Sequence, residues 1–119
     1  MQFIHEQGFD VREGEEHAYQ QWLAENEAAL AAACPDGVEY LGTFYAIFSD
    51  SRDAGSYRML WRYDSYAAQD RMAAAMSGDS EMARLVHEGI AFVDMDNHRN
   101  GSNQLLKLVT DSTILVPEA

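Results

Sequence analysis

The segment SYRMLWRYDSY, residues 56–66, decides the fold, because large side chains occupy both faces of one predicted strand. An alternation with a period of two residues is typical of a β-strand. One face carries aromatic and sulfur-containing side chains: Tyr57, Met59, Trp61 and Tyr63. The other face carries Arg58, Leu60, Arg62 and Asp64. We expect helices to pack against the first face, whereas the second face needs a different packing partner.

The flanking sequence predicts the order β-α-β-β-α-β. The predicted strands cover 2–11, 38–48, 56–64 and 104–110, and a polar turn over 49–55 makes the middle pair a hairpin. The first helix opens at Glu13 and stops at the Cys34-Pro35-Asp36-Gly37 run. The second helix starts after Asp64 or Ser65 and breaks at 77–79 before a second helical piece. This order predicts an α+β domain made of two split β-α-β units with an antiparallel sheet.

Both helices of such a domain pack on one sheet face, so the opposite face is left uncovered. By alternation that face carries mainly apolar side chains, interrupted by charges: Ile4, Leu41, Thr43, Tyr45, Ile47 and Leu60, with Glu6, Arg58 and Arg62. Its plan area of roughly 350 Å² approaches the largest apolar patch that a monomer tolerates. We therefore expect two copies of the chain to associate through their sheets.

Length and composition limit the possible partners and the cellular location. The 119 residues fit one domain over 1–119, with a core to about residue 110 and a docking tail over 111–119. The net charge of −12 disfavours nucleic acid and anionic membranes as partners. The single cysteine, Cys34, and the lack of a signal peptide or a long apolar run favour the cytoplasm.

The junction WRYDSY at 61–66, the first helix opening at Gly14, the split second helix and the element order resemble the dimeric α+β barrel superfamily. The similarity covers about residues 1–110 and is greatest to NIPSNAP-like and antibiotic-biosynthesis-monooxygenase-like members. It implies ferredoxin-like subunits that form a homodimer, with a pocket in each subunit between sheet and helices. The superfamily includes cofactor-free monooxygenases, polyketide cyclases, haem-degrading enzymes and lactone isomerases.

The resemblance also points to candidate catalytic residues. Some cyclases of the superfamily carry a catalytic histidine near the position of His5, paired with a histidine from the later helical region, here His87. A half-buried structural histidine is the alternative for either residue. The haem-degrading members use an asparagine on the first strand, where this chain has Gln7. We therefore predict no haem and no other cofactor, and the four histidines form no metal-binding motif.

A set of aromatic and methionine side chains predicts a pocket for a small, flat, apolar ligand. The predicted substrate-binding residues are Gln7, Trp61, Tyr63, Tyr66, Met72 and Met76. Ordinary core packing is the alternative for these residues. Two functions follow: a monooxygenase-like or cyclase-like enzyme acting on a planar apolar compound, or a binding or stress-related homodimer without catalysis.

Overall fold

A computed structural model describes residues 2–52, 54–97 and 102–111. The elements follow the predicted order, with the second helix in two pieces. They are β1 (Phe3–Phe9), α1 (Glu16–Ala32), β2 (Val38–Tyr45), β3 (Tyr57–Tyr63), α2 (Ala68–Ser77), α3 (Glu81–Ile90) and β4 (Ser102–Lys107). All four strands differ from their predicted limits. β1 and β3 are one or two residues shorter at their ends, β2 ends at Tyr45 instead of Phe48, and β4 begins and ends earlier than 104–110. The tail after Asp111, predicted to dock, lies outside the described residues, as does His98.

The four strands form one antiparallel sheet in the order β2-β3-β1-β4. This is the strand order of a split β-α-β fold, and it places β1 and β3 side by side at the centre. His5 lies directly opposite Trp61 in that pair, and Phe9 lies opposite Tyr57. The predicted α+β fold with an antiparallel sheet is therefore confirmed.

The helices cover the aromatic face of the sheet, as the alternation in 56–66 predicts. Trp61 and Tyr63 are almost completely buried there, and the same core contains Leu30 from α1 and Leu85 from α3. Full burial of one such side chain contributes about 1.5–3 kcal/mol. The centre of the sheet is thus a rigid base for any site between sheet and helices.

A β-bulge in β2 corrects the prediction for the second half of that strand. Tyr40 lies opposite Trp61, but the next paired residue is Gly42, opposite Leu60, so Leu41 is an additional residue. Gly42 has a φ of +139°, which favours glycine because it has no Cβ. Beyond the bulge Thr43 lies opposite Met59 and therefore faces the helices.

The same shift places Tyr45 opposite Tyr57, with their ring centroids 5.2 Å apart. The prediction that Thr43 and Tyr45 belong to the uncovered face is wrong for this reason. Ile47, also assigned to that face, lies beyond the end of β2 and is exposed in the hairpin loop.

The predicted break in the second helix is confirmed. α2 ends at Ser77, and Gly78 at its end adopts an extended backbone that stops the helix. The side chain of Ser80 then caps α3 by accepting a hydrogen bond from the amide of Ala83. The two pieces can therefore take different directions across the sheet. 

The uncovered sheet face carries two ion pairs between neighbouring strands. Arg58 on β3 binds Glu6 on β1 with an N–O distance of 2.9 Å, and both side chains are largely shielded from solvent. Arg62 binds Glu39 on β2 at the same distance but with more exposure. The charges on this face are thus paired within one chain. The apolar side chains between these ion pairs, including Leu60, are then the main groups on this face that lack a packing partner.

Candidate functional site

A cavity of about 320 Å³ lies between the sheet and the helices. That volume suits a small organic ligand. Its lining is mainly aromatic, aliphatic and methionine side chains. The lining residues are Gln7, Gly8, Phe9, Tyr19, Trp22, Leu30, Met59, Trp61, Met76, Leu85, Val86, Gly89, Ile90, Val93 and Met95.

The centre of the sheet positions the main polar contact of this lining. Gln7 on β1 and Trp61 on β3 are diagonal neighbours on the helix-facing side, since Gln7 lies opposite Met59. The indole Nε1 of Trp61 donates a hydrogen bond to Gln7 Oε1 over 3.0 Å. The bond holds both side chains in place at the floor of the cavity.

Helix α1 provides an aromatic wall. The ring of Tyr19 packs edge-on against Phe9, with centroids 5.8 Å apart, and stacks on Trp22 at 6.1 Å. Burial raises the pKa of the Tyr19 hydroxyl, so this group stays protonated at physiological pH. Gly89 on α3 leaves room for this wall, because a Cβ there would lie 3.2 Å from the Trp22 ring.

His5 lies outside the cavity lining although it is the cross-strand partner of Trp61. Its Nδ1 is 2.9 Å from the Tyr63 hydroxyl, and its Nε2 contacts the Asn103 side-chain oxygen on β4. Burial raises the pKa of Tyr63. The structure thus brings His5, Trp61 and Tyr63 into one layer, but it directs the imidazole towards β4.

The remaining predicted site residues divide between the cavity and other places. Met76 lines the cavity from α2, whereas Met72 is buried in the core beneath the same helix. Tyr66 is exposed and contacts the Phe3 ring edge-on at 6.0 Å. His87 is exposed on α3 and is absent from the lining, so His5 and His87 do not meet in this cavity.

Sequence reasoning missed several lining residues, chiefly Val86, Gly89 and Met95. The helical spacing of Val86 and Gly89 with Leu85 indicates that they face the sheet, but not that they face a cavity. Met95 follows α3 in a turn, where the sequence has no helix or strand periodicity from which the direction of its side chain could be predicted. Only the packed structure could identify these three.

The described part of the chain holds no group of three or more histidine, cysteine, aspartate or glutamate side chains that could bind a metal ion. Within the same residues, no helix is both long and apolar enough to cross a bilayer.

Comparison with known proteins identifies structural relatives at low sequence identity. No protein-family model and no curated protein sequence matches the chain. A NIPSNAP family protein from Agrobacterium tumefaciens matches with a TM-score of 0.66 and 17% identity, covering 98% of this chain and 100% of the other. An uncharacterised NIPSNAP-like domain protein from Burkholderia xenovorans matches with a TM-score of 0.65 and 18% identity, covering 98% and 92%.

A protein from Chloroflexus aurantiacus, provisionally assigned as an antibiotic biosynthesis monooxygenase, matches with a TM-score of 0.53 and 16% identity. The match covers 96% of this chain and 99% of the other. Similarity at this level of identity establishes a shared fold and carries no activity with it. The chain therefore has the ferredoxin-like α+β fold that these NIPSNAP family and antibiotic-biosynthesis-monooxygenase-like proteins share.

Proposed function

We propose that this protein binds a small, planar, apolar molecule in the cavity between its sheet and helices. The observation that carries the proposal is a cavity of about 320 Å³ bounded by four aromatic residues and three methionines. Flat aromatic walls favour a planar ligand, and methionine side chains adapt to its outline.

The composition of the lining supports binding in preference to acid–base chemistry. Among the residues that the structure describes, those that line the cavity include no histidine, carboxylate, lysine or cysteine. Burial raises the pKa of the Tyr19 hydroxyl, so this group stays protonated at neutral pH and is not available as a general base. Such a pocket attracts ligands by removing apolar surface from water.

The proposal is tested with the neutral fluorescent probe N-phenyl-1-naphthylamine, whose emission rises in an apolar environment. We expect saturable binding that the variant Val86→Phe weakens by at least tenfold, because the larger ring fills the cavity. The neighbouring variant His87→Phe is the matched control, since position 87 is exposed and outside the lining. Equal weakening in both variants, or no saturable binding to the wild-type protein, would contradict the proposal.

We also propose that the functional unit is a homodimer formed through the uncovered sheet face. The plan area of that face is roughly 400 Å², from four strands of six to eight residues. The side chains that project from the sheet add to the area that a partner could bury, as do the exposed Ile47 and Phe48 at the hairpin end. Together they bring that area towards the ~800 Å² per partner of a standard interface.

Charge on the same face supports a second copy as the occupant. The Glu6–Arg58 pair is already neutralised within one chain, so its burial against a partner leaves no unpaired charge. The net charge of −12 disfavours nucleic acid and anionic lipid surfaces as alternatives.

A cytoplasmic location, inferred from the single free Cys34, stays a prediction.

A cofactor-free monooxygenase or cyclase activity is the second candidate, and it rests on analogy of fold with the Chloroflexus aurantiacus protein alone. In this version His5, held by Tyr63, is the general-base candidate, with His87 as its proposed second histidine. The test measures oxygen consumption and product mass with planar phenolic compounds. Turnover that His5→Ala abolishes and His17→Ala leaves intact would support the activity, and equal turnover in the two variants would exclude the assigned role of His5.

A further inference from the structure

The cavity contains one polar side chain with unused hydrogen-bonding capacity. Four lining residues have a nitrogen or oxygen in their side chains: Gln7, Tyr19, Trp22 and Trp61. The indole of Trp22 donates to Glu88 Oε1 over 3.1 Å, and the hydroxyl of Tyr19 interacts with Thr43. The indole of Trp61 donates to Gln7. The amide nitrogen of Gln7 has no acceptor among the described residues.

The chemistry of the indole fixes the orientation of the Gln7 amide. An indole N–H can only donate, so the atom that it contacts 3.0 Å away has to be the amide oxygen. The amide nitrogen is therefore at the other end of the group. Reversing the amide would place N–H against N–H and lose the bond.

This arrangement leaves Gln7 Nε2 as a pair of N–H donors beside an apolar cavity. An amide N–H that loses water without gaining an acceptor costs free energy. A ligand that fills the cavity displaces water from this group. A ligand oxygen that accepts from Nε2 removes that cost, whereas a pure hydrocarbon leaves it in place.

We propose that Gln7 selects neutral, planar ligands that carry a hydrogen-bond acceptor, with a carbonyl oxygen as the best match. Gln7 is the specificity-determining residue of the cavity, and Trp61 is the positioning residue that holds its donor end towards the ligand. The inference rests on the proposed ligand-binding function of the same cavity.

The test uses two ligands of nearly the same shape, 2-acetylnaphthalene and 2-isopropenylnaphthalene, which differ in a C=O against a C=CH2 group. Each competes with N-phenyl-1-naphthylamine for the wild-type protein and for Gln7→Met. The measured quantity is the Kd of the hydrocarbon divided by the Kd of the ketone. The two ligands differ in their hydration free energy, but this difference affects the ratio equally in every protein. It therefore cancels when the ratio is compared between the wild type and a variant.

We expect the ratio to fall roughly fivefold from the wild type to Gln7→Met, as the loss of one hydrogen bond predicts. In Trp61→Phe, where the amide is free to rotate, the ratio should fall by a smaller factor. This variant also provides a second reading if Gln7→Met folds poorly, since it keeps the amide itself.

The outcomes separate the two proposals. A ratio that stays the same in Gln7→Met and in Trp61→Phe overturns the role of Gln7, while binding of both ligands leaves the apolar cavity proposal intact. A wild-type protein that binds neither the probe nor either ligand overturns the binding function itself.

Discussion

The indole nitrogen of Trp61 donates to the side-chain oxygen of Gln7 across 3.0 Å, from a ring that is 1% exposed. Trp61→Phe would remove this donor and leave the Gln7 oxygen without its partner. We expect the free energy of unfolding to fall by about 2–4 kcal/mol, from the lost hydrogen bond and the smaller ring together. Chemical denaturation followed by circular dichroism measures the change.

The matched control is Trp22→Phe, because its indole donates to Glu88, whose side chain is 41% exposed and remains hydrated after the loss. We expect this variant to lose less stability than Trp61→Phe. Equal losses would mean that the hydrogen bond to Gln7 contributes no more to the free energy of unfolding than the hydrogen bond to Glu88.

The second prediction concerns His5. His5→Ala would remove the partner of the Tyr63 hydroxyl and the contact with Asn103, so we expect a loss of about 1–2 kcal/mol. His17 is exposed at the start of α1, and His17→Ala should change the stability little. Probe affinity should be the same in both variants, because neither histidine lines the cavity. If His5→Ala weakens probe binding more than His17→Ala does, His5 belongs to the ligand site after all.

The third prediction tests the dimer. Leu60 lies on the uncovered face, opposite Glu6 on one side and Gly42 on the other. Leu60→Asp would place an unpaired charge in the proposed interface, at a cost of several kcal/mol. We expect light scattering to give a dimer for the wild type and a monomer or an aggregate for Leu60→Asp. Val109→Asp, at an exposed apolar position outside the sheet, is the control. A wild-type monomer at micromolar concentration would end the dimer proposal.

The fourth prediction concerns salt. Six ion pairs among the described residues join five arginines to six acidic side chains, while the whole chain has 20 acidic residues. The remaining negative charge repels itself, and added ions screen that repulsion over about 10 Å at 0.1 M. We therefore expect the melting temperature to rise between low salt and about 0.5 M sodium chloride. A flat or falling curve would show that the acidic groups are too far apart for their repulsion to matter.

The element order and the break before Gly78 could be predicted from the sequence, because each depends on local periodicity or on a helix-stopping residue. The helix-facing side of β3 followed for the same reason. The diagonal bond from Trp61 to Gln7 could not be predicted, since it depends on the side-chain conformations of two strands that are far apart in sequence. The direction of the His5 ring depends in the same way on Tyr63 and Asn103.

The β-bulge shows the limit of alternation as a guide. The sequence signals of the irregularity are the lack of a clean alternation over residues 38–48 and the glycine at position 42. An alternation continued through one additional residue assigns every later side chain to the wrong face. This is why Thr43 and Tyr45 were predicted on the uncovered face and are found on the helix-facing side.

The bulge also determines how this chain has to be aligned with other members of its fold. At 16–18% identity, residue matches alone are too few to position a gap in β2. A homologue with a regular strand needs its one-residue deletion opposite Leu41. A gap placed after Tyr45 instead would equate residues from opposite faces and make conserved interior positions look variable. Evolutionary analysis of the Tyr40–Thr43 region depends on that single placement.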